Sequence, residues 1–238
     1  MTQLNSSVTR RHAPSVQNRE RQSDQTAEFR ALTYALFSKL MRSPFENLEV
    51  LEQFFDSGEL IDLFGGLQET LPYKVEFQVM SDKLQSMKRE EVFALRRIYS
   101  SLFEVGSEGP PVPLRAELVR AGVSKMKEEL IRFYNYFSYD LQEQIAWAPD
   151  HLSIQLEFMQ VLCLKESAQG ERGDISFERA QLDFLDRHIV CWLPISLGKL
   201  VALDRGGFYT IVMAALWNFL EQDRLWNIQT ATQTREGE

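Results

Sequence analysis

The stretch that decides the fold lies between residues 149 and 166. It opens as Pro149-Asp150-His151-Leu152 and continues through Ile154, Leu156, Phe158, Met159, Val161 and Leu162. Such a helix is apolar on more than one face, and a helix apolar all round belongs inside a bundle. The spacing predicts a central helix from His151 to about Glu166, with Asp150 placed to cap it.

Outward from this helix the apolar residues keep helical spacing. Phe29, Leu32, Leu36 and Leu40 form one stripe, which stops before Ser43-Pro44. Ser43 then caps a second helix with Pro44 at its first position, and Leu48, Leu51 and Phe55 supply its apolar face as far as Gly58. A short helix from Leu60 to Phe64 ends at Gly65-Gly66. Further amphipathic helices are expected over Pro72–Met87, Glu90–Phe103, Ser124–Phe137, Phe177–Trp192 and Asp204–Arg224. Val105 to Pro113 is a loop, because its prolines forbid helix and its glycines permit unusual torsions. This gives about nine helices and no strand alternation. The expected fold is all-α: one helical, bundle-like domain over 27–228, a disordered arm over 1–26 and a flexible tail over 229–238.

Composition agrees. Leu (30) outnumbers Val plus Ile (24), which favours helix. Of 238 residues, 44% are hydrophobic and 25% charged, ordinary values for a globular chain. The net charge of −8 argues against nucleic acid as the partner, since such binders neutralise phosphates. The longest uncharged stretch, from Gly206 to Leu220, is too short to cross a bilayer, so no membrane insertion is expected. Arg10-Arg11 is followed by polar sequence and does not read as an export signal; a cytoplasmic location is expected. Cys163 and Cys191 read as reduced thiols in apolar helical sequence.

Phosphate-binding, nucleophile-elbow and dinucleotide motifs are missing. His188 and Cys191 share a helix face, and His151 is the one other histidine outside the arm, but the set falls short of a recognisable metal site. No catalytic residue, metal or cofactor is expected.

Three features carry positive content. Residues 43–73 hold seven carboxylates, among them Glu49 and Glu52, and no Lys or Arg. They form either a solvated face or a docking field for a basic segment. Phe133, Tyr134, Tyr136, Phe137 and Tyr139 crowd seven positions, as core at a helix end or as a groove for an apolar peptide. Asp150 beside His151 sets a paired polar group at a helix start.

The chain resembles the TorD/DmsD/NarJ redox-enzyme maturation chaperones. The resemblance rests on Tyr99-Ser100-Ser101-Leu102-Phe103 with the Gly109–Pro113 loop, on Pro149-Asp150-His151-Leu152, and on Asp183–His188 with Trp192-Leu193-Pro194. It covers roughly 28–228. Leu114-Arg115-Ala116-Glu117 departs from the Glu-Ser pair usual in TorD-like members and turns the resemblance towards chaperones of periplasmic dehydrogenases or reductases with iron–sulfur partners, such as those for dimethyl sulfide, ethylbenzene, selenate or chlorate. The resemblance implies a non-catalytic cytoplasmic chaperone, monomer or dimer. It would bind the leader of the catalytic subunit of a molybdopterin oxidoreductase and assist cofactor insertion before export. Tyr99, Phe103, Pro149, Asp150, His151 and Trp192 fall in or beside the motif linked to leader binding. Glu49 and Glu52 are expected to attract the leader's basic segment. The competing readings are a helical scaffold or adaptor for a folded partner, and a small hydrolase using His151 and His188.

Overall fold

A computed structural model describes residues 23–44, 59–107, 109–119, 124–141, 148–169 and 176–233. These residues form ten α-helices: α1 (Ser23–Leu40), α2 (Glu59–Thr70), α3 (Gln78–Ser86), α4 (Arg89–Tyr99), α5 (Ala116–Val119), α6 (Ser124–Tyr136), α7 (Leu152–Gln169), α8 (Phe177–Phe184), α9 (Leu193–Leu203) and α10 (Phe208–Gln233). Two π-helical segments, Ser100–Glu104 and Leu185–Ile189, prolong α4 and α8. Among the described residues there is no strand, only two isolated bridges. The all-α reading is correct.

The helix beginning at Leu152 is the hub. Leu152, Ile154, Leu156, Phe158, Met159, Leu162 and Cys163 are all buried. Phe158 sits among Tyr134, Phe137, Tyr139 and Phe184 at 4.7–6.0 Å between ring centres. Most of the aromatic run is therefore core, while Tyr136 points outward, 70% exposed. The chain enters this cluster through Ser138, whose positive φ of 53° ends α6 and turns Tyr139 inward.

Several boundaries differ from those expected. The 26/27 boundary falls inside α1, because Thr26 and Ala27 are buried. α2 runs straight through Gly65-Gly66: burying Phe64, Leu67 and Leu71 outweighs a helix penalty of about 1 kcal/mol per glycine. Residues 72–77 are not helical. Tyr73, Val75 and Phe77 are buried and alternate with exposed Lys74 and Glu76, a period of two along a non-helical strap. Pro194 starts a helix instead of only stopping one, since the first turn needs no proline N–H. α10 passes Arg224, with Trp226 and Asn227 buried beyond it, and enters the expected tail, where Thr230 is buried. The helix expected over 43–58 lies outside the described residues, apart from Ser43 and Pro44.

A polar cluster sits inside the bundle. The Arg30 guanidinium is fully buried and donates to Asp223 (Nε–Oδ1 2.5 Å), to Glu166 at 3.2 Å and to Gln181. Tyr34 and Tyr73 donate their hydroxyls to the same Asp223 carboxylate at 2.5 and 2.6 Å, and Trp226 faces the guanidinium 5.0 Å away. Burial alone would raise the Asp223 pKa, but the charge of Arg30 and three hydrogen bonds hold it below the usual range. The cluster joins α1, α7, α8 and α10.

Candidate binding site

A cavity of about 330 Å³ opens where the end of α4, the loop after it and the start of α7 meet. The π-helical segment creates its first wall. Val105 N–H reaches back to Ser100 O at 2.9 Å, a wider turn than an α-helix makes, and it carries Phe103 and Glu104 to the cavity beside Tyr99. The chain then swings through Gly109 at φ 105° and the proline run, fixed by Val112 N–H to Leu102 O at 2.8 Å. An antiparallel bridge sets Arg115 against His151, with Leu152 N–H donating to Leu114 O at 2.8 Å. Arg42, Ser43, Leu114, Leu118, Ser153 and Ile154 complete most of the lining.

Tyr99, Phe103 and His151 therefore share one cavity. Tyr99 anchors its hydroxyl on Met41 O at 3.2 Å, and Tyr99, Phe103 and Tyr209 form an aromatic triad with ring centres 4.9–5.4 Å apart. His151 is neutral near pH 7. Burial pushes its pKa down to about 4, Asp150 works against that shift, and Arg115 and Arg42 reinforce it. Its Nδ1 accepts from the Ser153 N–H at 3.3 Å and meets the Ser153 hydroxyl at 2.8 Å, so His151 itself caps α7.

Asp150 has a different task from the one expected. It is fully buried, accepts from the Glu117 N–H at 2.9 Å and from Arg115 Nε at 3.2 Å, and so caps α5 instead of α7. The N-terminus of α7 is occupied by the carbonyl of Leu114 and the ring of His151, which leaves Asp150 free to serve the helix opposite. Pro149 contributes its carbonyl, which accepts the Tyr134 hydroxyl at 2.8 Å. Trp192 is sealed in the core, with its indole N–H on His188 O at 2.6 Å, and does not line the cavity. Glu49 and Glu52 lie outside the described residues.

Sequence reasoning did not single out Arg42, Glu104 or Arg115. Arg42 pairs with Glu157 at 2.6 Å, and Arg115 pairs with Glu117 at 2.7 Å as well as with Asp150. Glu117 is also held by Lys127, whose hydrogen bond lowers its pKa. The signal for Arg115 was present in the departure at 114–117, read as a subgroup mark and not as a structural one. A shallower depression elsewhere is lined by Arg132, Phe133, Tyr136, Phe137, Arg179, Ala180 and Asp183. Among the described residues no cluster of His, Cys, Asp or Glu is arranged to hold a metal, and no helix is long and apolar enough to cross a membrane.

The domain is thus all-α, with an aromatic, partly polar cavity that His151 helps to line. The chain belongs to the nitrate reductase delta subunit family, whose model matches residues 67–196 and so takes in Tyr99, Phe103, Asp150 and His151. It is similar to a selenate reductase assembly chaperone of Thauera selenatis, 41% identical over 113 residues, which are 44% of this chain and 57% of that protein. A chlorate reductase assembly chaperone of Ideonella dechloratans is 39% identical over the same shares. The chain thus spans little more than half the length of these two relatives. A perchlorate reductase assembly chaperone of Dechloromonas aromatica is 27% identical over 187 residues, 74% of this chain and 81% of that protein.

Proposed function

We propose that this chain is a system-specific cytoplasmic chaperone. It binds the catalytic subunit of a molybdenum-cofactor oxidoreductase through the twin-arginine leader, holds it until the cofactor is inserted, and performs no bond chemistry itself. The observation that carries the reading is the meeting of Tyr99, Phe103 and His151 in one cavity, in a chain whose relatives are named reductase assembly chaperones. A neutral histidine and an aromatic wall suit an apolar peptide. The ordering of a flexible leader offsets much of its burial, which keeps the complex reversible, as repeated rounds of assembly require. The proposal extends to Glu49 and Glu52, as a field that draws in the basic part of the leader.

The test is calorimetric titration with the co-encoded reductase catalytic subunit, with and without its leader, together with molybdenum analysis of that subunit from cells lacking the chaperone. Binding that depends on the leader and a metal-poor subunit are expected. Absence of binding together with full molybdenum content would sink the reading.

A further inference from the structure

The cavity holds one charge that its neighbours leave uncommitted. Both arginines of the lining are engaged: Arg42 with Glu157, and Arg115 with Glu117 and Asp150. Glu104 lines the same cavity, is exposed, and accepts only the Ser43 hydroxyl at 3.2 Å; no ion pair of Glu104 is formed among the described residues. Behind it stands the Tyr99–Phe103–Tyr209 triad. With the paired groups counted together, four carboxylates (Glu104, Glu117, Asp150 and Glu157) stand against three cations (Arg42, Arg115 and Lys127), and His151, being neutral, adds no positive charge.

A carboxylate at the rim of an aromatic pocket is suited to a guanidinium group, which donates charge-assisted hydrogen bonds from its edge and offers its face to aromatic contact. We infer that Glu104 is the residue that reads positive charge in the bound segment, taking an arginine side chain of the client at the mouth of the Tyr99–Phe103 cavity. The inference rests on the proposed leader binding and assigns part of the charge recognition to the cavity itself, in addition to Glu49 and Glu52.

The experiment uses the leader peptide of the co-encoded catalytic subunit, synthesised with its paired arginines or with neutral citrulline in their place. It is titrated into the full chain and into Glu104→Gln at low ionic strength. The unaltered chain is expected to prefer the arginine peptide about fivefold, the scale of one partly exposed ion pair with an aromatic contribution. Glu104→Gln should bind both peptides alike, Glu104→Lys should prefer citrulline, and Glu129→Gln, at an exposed carboxylate on α6, should keep the original preference. Thermal unfolding of each variant establishes that it is folded. A preference for arginine that survives in Glu104→Gln overturns the inference while leaving leader binding intact. Failure of the unaltered chain to bind either peptide overturns both.

Discussion

His188 is buried with its ring 5.0 Å from Phe184 and 5.6 Å from Phe133, and neither ring nitrogen has a hydrogen-bond partner among the described residues. Burial, aided by Arg187, pushes its pKa down to about 4. His151 is depressed to a similar value. In the unfolded chain both titrate near 6.5, so between about pH 6.5 and 4 the unfolded state binds protons that the folded state refuses. Stability is therefore full above that window and falls as the pH drops through it. Urea unfolding should show a loss between pH 7 and pH 5, and His188→Phe should remove on the order of 1–2 kcal/mol of that loss. An identical pH dependence in the variant would refute this. Asp150→Ala should cost about 2–3 kcal/mol, because it uncaps α5 and leaves Arg115 short of a partner; Asp150→Asn, which can still accept from the Glu117 N–H, should cost less. For Glu49 and Glu52, charge reversal should weaken leader binding at low salt, and an unchanged affinity would make them a solvated face.

Among the elements, those with strong periodicity were legible and those decided by context were not. The central helix and α6 lie close to where their apolar spacing puts them. The strap at 72–77 was missed because Tyr73, Val75 and Phe77 alternate for only five residues beside a genuine helical pattern. The stretch 193–203 is not legible as a helix because a proline directly after a helical run ordinarily ends it, and Pro194 here opens the next helix instead. The π-helical segments have no sequence signal of their own, although Tyr99 and Phe103, which the first of them sets side by side, were recognised. The site was half legible for the same reason. Aromatic and histidine positions declare themselves by motif, whereas Arg115 and Asp150 acquire their roles from a bridge between segments 35 residues apart. Gly65 and Gly66 offer a direct test of helix energetics. Both are exposed, and an added Cβ would meet nothing within 4 Å. Gly65→Ala with Gly66→Ala should raise stability by roughly 1–2 kcal/mol, as read by the urea midpoint.

Across the whole molecule, the Arg30 cluster is the long-range tie that composition could not announce. Arg30 lies in an amphipathic helix where a charged residue is ordinarily at the surface, and Asp223 is 193 positions away. Breaking one side leaves a charge stranded in the interior. Asp223→Ala should cost about 3–5 kcal/mol in chemical unfolding, and Arg30→Met combined with Asp223→Leu should recover part of it.

That tie also sets an order of events during synthesis. Until Asp223 has left the ribosome, the guanidinium near the start of the bundle has Glu166 as a counter-ion but lacks the carboxylate that holds its Nε. The cluster closes only when α10 arrives, so a nascent chain stalled ahead of Asp223 should remain open to protease while one stalled well beyond it should not.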